Sequence, residues 1–452
     1  MDRNRRDFVR LIGAATIGGT AVPAVALLAE QPRRIANGTE DWRQHFPALR
    51  QRINGHRLTY LDCAATTLRP DAVIDAVADF SRCDNANPAA ALHTLARRSH
   101  ERYESARAEV ARFIGAEDSS EVVFTRGTTE AINLVAAAWG SANLRAGDEI
   151  LLGIAEHASN LVPWQLAARR TGAVLRFFDV DRLGRPKLDD FARRLGPRTR
   201  LAAFAHVSNV LGYVNPVREL CGLARKRGAA VLVDAAQSVP HVPVDVGAMG
   251  ADFVAFSGHK MLGPMGIGVL WGRRDRLDAM PPYQGGSNMA HGVDTDPADL
   301  EARLSHGGHK FGAGTPNVAG AVGLAAATRF LRSIGMRDLG AHESALVARG
   351  LDRLRSVRGL RLLGTGEPRN RLAVFAFTME GFTVAEIVRA LDGEGIAVRG
   401  GDLASLPLLR RLGTTAAVRA SCYLYTTLGE IDLLADALHR LARRRRLLEA
   451  PR

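Results

Sequence analysis

Val231-Leu232-Val233-Asp234-Ala235-Ala236-Gln237 and, a little further on, Phe253-Val254-Ala255-Phe256-Ser257-Gly258-His259-Lys260 decide the fold. Each begins as a short, unbroken apolar run that leads to a charged group. Without the alternation of a half-exposed strand, such runs read as strands buried on both faces, the mark of a parallel sheet covered by helices. One run delivers a carboxylate and the next a lysine at its carboxyl end.

Working outward, further strands are expected at Glu121–Thr125, Glu149–Leu152, Val174–Asp179, Leu201–His206 and Gly266–Trp271. Helical patterns lie between them, as at Thr129–Trp139, Trp164–Thr171, Leu188–Leu195 and Val217–Arg227. The expectation is an α/β fold with a mainly parallel, seven-stranded sheet over residues 31–317. From 318 to 452 the pattern changes. A helix at Val318–Ile334 precedes Gly359–Leu363, Leu372–Thr378, a helix at Thr383–Glu394, strands at Ile396–Arg399 and Val418–Tyr425, and a last helix from Leu428. This reads as a smaller α+β domain.

Composition excludes several classes. A chain of 452 residues, 46% hydrophobic and 24% charged, buries a core without staples. Its four cysteines, Cys63, Cys83, Cys221 and Cys422, form no CxxC pair, and no metal-ligand spacing appears. The net charge of +13 raises nucleic acid as a partner. Only Lys187, Lys226, Lys260 and Lys310 are lysines, however, and the arginines are scattered among acids. The one dense basic run, Arg443 to Arg446, closes a helix without interleaved aromatics, so no nucleic-acid binding is expected.

Residues 1–30 read as a leader. Asn4-Arg5-Arg6-Asp7-Phe8-Val9-Arg10 precedes an uncharged stretch from Leu11 to Ala29, with a small-x-small site at Ala24-Val25-Ala26. The stretch resembles a twin-arginine export signal, with Val9 in the usual Leu place. It implies recognition by the twin-arginine translocase and a periplasmic location; a retained anchor is the other reading.

Four features at successive strand ends point to one ligand. Lys260 sits in a Ser-Gly-His-Lys turn, and a desolvated lysine, unlike an arginine, can lose its proton and form a Schiff base. Thr125-Arg126-Gly127-Thr128-Thr129-Glu130 opens a helix whose free N–H groups suit a phosphate, although alone it reads equally as a capped helix. Asp234 suits a protonated ring nitrogen, or a helix cap. His157, in Glu156-His157-Ala158-Ser159-Asn160, follows a strand where a ring can stack on a flat molecule. A phosphate, a pyridinium, a stacking face and an aldehyde together describe pyridoxal 5′-phosphate.

With those residues in place, the chain resembles the class V aminotransferase-fold proteins, and among them the cysteine desulfurase and selenocysteine lyase branch. The likeness runs from Tyr60-Leu61-Asp62 to Ile431. It rests on Thr125 to Asn133, Glu156-His157, Val162-Pro163-Trp164-Gln165, His206 to Gly212, Asp234 to Ser238, Ser257 to Lys260, and Gly314-Thr315-Pro316-Asn317. The resemblance implies fold type I, a homodimer, a small-molecule amino-group substrate and an internal aldimine on Lys260. It implies phosphate contacts from Thr128, Thr129, Ser257 and His259, with Thr315 reaching in from the partner. Asp234 would pair with the ring nitrogen, Gln237 with the ring hydroxyl, and His157 would stack. Asn209 and Arg419 would hold the substrate carboxylate.

Two departures stand out. Where the branch shows Arg-x-Gly-His-His-Cys-Ala-x-Pro-Leu, this chain reads Arg399-Gly400-Gly401-Asp402-Leu403-Ala404-Ser405-Leu406-Pro407-Leu408. Ala404 replaces the thiol, and a methyl group cannot attack sulfur. A His-Arg-Gly-x-His element is replaced by Ala89-Ala90-Ala91-Leu92-His93. The expectation is therefore an exported pyridoxal-phosphate enzyme carrying out transamination, epimerisation of the isopenicillin N kind, or elimination on an amino acid or a derived metabolite. A cysteine desulfurase or selenocysteine lyase ranks second, since sulfur transfer for iron–sulfur assembly is cytoplasmic. A non-catalytic binding protein ranks third.

Overall fold

The computed structural model describes residues 38–449, apart from 90, 293, 294 and 297–299. The leader expected over 1–30 lies outside the described residues. The central sheet has seven strands: β1 Val122–Thr125, β2 Glu149–Gly153, β3 Val174–Phe178, β4 Thr199–Ala205, β5 Ala230–Asp234, β6 Phe253–Ser257 and β7 Gly268–Gly272. Their spatial order is β1-β7-β6-β5-β4-β2-β3. Strands β6, β5, β4, β2 and β3 pair in parallel, whereas β7 runs antiparallel between β1 and β6. The sheet is therefore mixed, with one reversed strand.

The unbroken apolar runs are explained by burial on both faces. Val231, Val233, Val254 and Phe256 enter one core, while Leu232, Phe253, Ala255 and Leu270 enter the other. Alternate residues of a strand point to opposite faces, so a strand covered twice has no polar position.

The main helices are α1 Asp71–Cys83, α2 Thr94–Ile114, α3 Thr128–Leu134, α4 Val162–Thr171, α5 Val318–Ile334, α6 Met336–Arg355 and α7 Leu428–Glu449. The helical run begun by α3 passes through a π turn at Val135–Trp139 before ending at Asn143. Helix α5, expected to open the C-terminal domain, packs on α1 and α2 and puts Leu324 and Leu331 into the large-sheet core. Its many small residues allow that close approach.

The smaller sheet contains β8 Leu360–Leu362, β9 Val374–Met379, β10 Arg399–Gly401 and β11 Ala417–Ser421, ordered β8-β9-β11-β10 and antiparallel throughout. Its core joins Phe375 and Val418 to Val347 of α6 and Leu434 of α7. The strand expected at Ile396–Arg399 is divided. Ile396–Ala397 pairs in parallel with Thr59–Tyr60, while Arg399 belongs to β10. The strand expected to reach Tyr425 ends at Ser421, because Tyr423 N–H turns to the Thr426 hydroxyl. Among the described residues, no helix is long and apolar enough to cross a membrane.

Because β1 and β6 both oppose β7, they point the same way, and β5, β4 and β2 follow. Their carboxyl ends share one edge, where ligands of such sheets bind. The turn after β1 is pressed against β7. A Cβ on Gly268 would lie 2.4 Å from Gly127 Cα and 2.8 Å from Phe256 O. Gly268→Ala is therefore expected to destabilise the protein by about 3 kcal/mol, since the obstruction is backbone. Gly222→Ala, in a helix with nothing within 4 Å of the added methyl, is expected to stabilise by about 0.5–1 kcal/mol. Denaturant unfolding of the two variants checks the contrast.

Candidate active site

A cavity of about 520 Å³ opens at the shared strand edge. Thr128, Thr129, His157, Asn209, Asp234, Gln237, Ser257, His259, Lys260 and Arg419 all line it. Of the expected residues only Thr315 is elsewhere; its hydroxyl accepts from Asn87 Nδ2 at 3.3 Å.

One end of the cavity is built from hydroxyls and backbone. Ser257 Oγ accepts from Thr128 N–H at 2.8 Å and lies 2.6 Å from Thr128 Oγ1. Thr129 Oγ1 is 2.8 Å from Ser159 Oγ. At the opening of α3, this donor-rich turn suits a phosphate.

Lys260 and Asp234 supply opposite charges at neighbouring strand ends. Burial pushes the Lys260 amine down to about 8, with Asp234 opposing the shift. Burial raises the Asp234 carboxyl, and Lys260 partly offsets that. Asp234 Oδ1 accepts from Ala236 N–H at 2.9 Å. Gln237 Nε2 donates to Ala64 O at 2.8 Å, which anchors its side chain in the cavity wall.

His157 stays neutral because burial and the Lys260 charge push it down to about 4. Its Nδ1 accepts from Ser159 N–H at 3.1 Å, leaving the proton on Nε2. Beneath it runs a buried chain. Glu156 Oε2 accepts from Asn160 Nδ2 at 2.7 Å, and Asn160 Oδ1 accepts from Trp164 Nε1 at 3.0 Å. Burial, and then Asp234, push the Glu156 carboxyl up to about 8. Gly153 makes the room, since a Cβ there would lie 2.6 Å from Glu156 Oε1.

The opposite wall comes from the smaller sheet. Arg419 on β11 and Arg399 on β10 are register partners. Asp62 bridges them, accepting from Arg399 Nη2 at 2.6 Å and from Arg419 Nη2 at 3.3 Å. Arg419 Nη1 donates to Asn209 O at 3.0 Å, while its buried Nε has no partner. Asn209 lines the cavity and also ties down a neighbouring turn. Its Nδ2 donates to Leu403 O at 2.9 Å, and its Oδ1 accepts from Ser405 Oγ at 3.1 Å.

Sequence reasoning gave no role to Asp62, Arg399, Ser159 or Ser405. Asp62 stands where the family likeness begins, but the partner arginines are more than 300 residues away in the chain. His93, in the second departing element, caps α2 by accepting from Ala96 N–H at 3.2 Å. No cysteine lines the cavity. Cys422 is packed in the core beneath the smaller sheet, and burial raises its thiol.

These residues fit pyridoxal phosphate on the structure's own terms: a depressed amine, a buried carboxylate, a neutral imidazole and a hydroxyl-lined turn share one cavity. The Lys260 amine is expected to titrate near pH 8, so capture of added pyridoxal phosphate by apoprotein should rise through that pH and then level off. Absorbance and borohydride trapping measure it. A midpoint near that of an ordinary lysine, or unchanged trapping in Lys260→Ala, contradicts the assignment.

The model for the aminotransferase class-V family matches residues 59–434. A probable cysteine desulfurase of Mycolicibacterium paratuberculosis is 46% identical over 401 residues, 88% of this chain but 58% of that protein. This chain thus spans under two thirds of that relative's length. A probable cysteine desulfurase of Halalkalibacterium halodurans is 44% identical over 395 residues, covering 87% of this chain and 96% of the relative. Among solved structures, the S-sulfonic acid form of the cysteine desulfurase CsdA from Escherichia coli has a TM-score of 0.82 and 36% identity, covering 90% of this chain and 99% of that one. The strand-edge cavity, its lysine and this match over most of the sequence lead to one conclusion: the chain belongs to the class V aminotransferase family and is a pyridoxal-phosphate-dependent enzyme.

Proposed function

We propose that the enzyme is a lyase of the cysteine desulfurase and selenocysteine lyase type. In this reading it takes L-cysteine or L-selenocysteine to L-alanine, with the chalcogen passing to a thiol in solution. Overall, RSH and the amino acid give alanine and RSSH or RSSeH. The observation that carries the reading is the complete set of Lys260, Asp234, His157 and Arg419 around one cavity, in a chain 44% identical to nearly the whole of a probable desulfurase. That identity reverses the ranking drawn from the sequence, where desulfurase chemistry stood second.

Pyridoxal phosphate, when bound, supplies a carbonyl for the substrate amine and a ring that accepts electrons from Cα. The chain supplies the rest. The Arg419 guanidinium orients the α-carboxylate, for which its planar fork is suited. Lys260 Nζ, depressed to about 8, takes and returns the proton at Cα and can return one at Cβ. Asp234 holds a proton on the ring nitrogen. The neutral His157 ring would offer the cofactor a flat face without adding charge.

A second reading has its own observation. Ala404 lines the cavity and no cysteine does, which favours chemistry confined to Cα, such as transamination or epimerisation. With dithiothreitol present, alanine is expected from L-selenocysteine faster than from L-cysteine, because selenium is the better leaving atom. Ala404→Cys is expected to raise the L-cysteine rate by less than about tenfold, as Asp402 and Leu403 give a new thiolate no cationic neighbour. Exchange of the Cα hydrogen, or amino transfer, without alanine would establish the second reading.

The reading includes a homodimer, supported by Thr315, which lies off its own chain's cavity. It also includes periplasmic export through the twin-arginine translocase, supported by Arg5-Arg6-Asp7-Phe8 and the uncharged stretch that follows. Arg5→Lys with Arg6→Lys is expected to hold the cofactor-loaded enzyme in the cytoplasm. Normal periplasmic recovery of that variant in fractionated cells would refute the route.

A further inference from the structure

The turn at 402–405 occupies the place where the resembled branch carries a reactive thiol, and here it is held from several sides. Leu403 and Ala404 both have left-handed backbones, with φ of 53° and 52°. Non-glycine residues adopt that conformation at a cost and keep it only where the surroundings enforce it. The enforcing contacts are identifiable. Ala404 O accepts from Ala158 N–H at 2.7 Å, and Asp402 Oδ1 accepts from Ala404 N–H at 3.0 Å. Leu403 O takes Asn209 Nδ2, and Ser405 Oγ donates to Asn209 Oδ1. The Leu403 side chain is packed with Val210, Leu211 and Leu408.

Two of these contacts come from departures in the motif. Leu403 stands where the branch pattern has a histidine, and buried Ser405 where it has an alanine. The polar connection continues inward, because Asn209 O accepts from Arg419 Nη1. A hydroxyl on the turn is thus linked through one residue, by the Asn209 side-chain oxygen on one side and its main-chain carbonyl on the other, to the guanidinium assigned to the substrate carboxylate.

We propose that Ser405 is a positioning residue that, through Asn209, locks the 402–405 turn as a fixed wall of the amino-acid pocket and sets the orientation of Arg419. The atom leaving Cβ then departs into the cavity, with no moving loop to carry it outward. The part concerning Arg419 rests on the amino-acid reading above; the lock itself does not.

The test uses the holoenzyme and Ser405→Ala, with Ser405→Thr as the variant that restores a hydroxyl. Hydrogen exchange of the 402–405 amides is expected to rise about tenfold in Ser405→Ala, one hydrogen bond's worth, with the large sheet unchanged. Ser405→Thr should return it toward wild type. The Kd for L-alanine, followed by the visible cofactor band, is expected to rise about tenfold in Ser405→Ala and to recover in Ser405→Thr. Unchanged exchange in Ser405→Ala overturns the lock. Increased exchange with unchanged L-alanine affinity overturns the link to Arg419. Failure of wild type to shift its band with L-alanine counts against the amino-acid reading, while the exchange result still decides the lock. If Ser405→Ala does not fold, Ser405→Cys, which keeps the volume and weakens the bond, takes its place with the same outcomes.

Discussion

Two arginines face each other across one antiparallel strand pair, and a single carboxylate makes that arrangement tenable. Directly opposed like charges destabilise a sheet. Arg419 is also buried, which lowers its pKa. Asp62 sits between both guanidinium groups, carried there by a segment that pairs with Ile396–Ala397 and bridges to Ser421. The pair holds the smaller sheet in register and leaves Arg419 with an unpartnered Nε. Removing the carboxylate would strand a buried cation, a costlier state than never having built the pair.

The large sheet contributes a different electrostatic arrangement. It buries Lys260 and Asp234 near one another, so each tempers the desolvation of the other. Nearby, the Glu156 carboxyl is biased toward its neutral form, and His157 and His259 stay uncharged at neutral pH. At this edge of the large sheet, charge is therefore concentrated on Lys260 and Asp234. The Glu156–Asn160–Trp164 chain gives the His157 turn a rigid floor, with its polar atoms paired inside the protein.

The large sheet was legible because strands buried on both faces leave an unmistakable apolar signature; Asp234 ends one of them and Lys260 stands in the turn after the next. Ten of the eleven expected site residues line one cavity, since each followed a strand or lay in a recognisable motif. Less was legible where contact depends on distant chain. The division at Val398 follows from pairing with Thr59–Tyr60, which local pattern does not encode. The reversed β7 follows from its position between β1 and β6, although its apolar run looks like any other. Helix α5 carried a helical pattern but no sign of which layer its small-residue face would join. The Ser405–Asn209 bond was hidden for the same reason: hydroxyl and amide lie 196 residues apart.

The Asp62 contacts also set an order of events during synthesis. Asp62 meets Arg399 across 337 residues and Arg419 across 357. At about 5–20 residues per second, the ribosome takes roughly 20 to 70 s to make the chain between them. Lys260 is made before either arginine, so in the last part of that interval it can already follow a folded strand of the large sheet while Arg419 has yet to be translated. On the proposed function, a nascent chain thus acquires its aldehyde-reactive amine before the arginine that selects an amino acid. In that reading, selectivity is the last property the polypeptide gains.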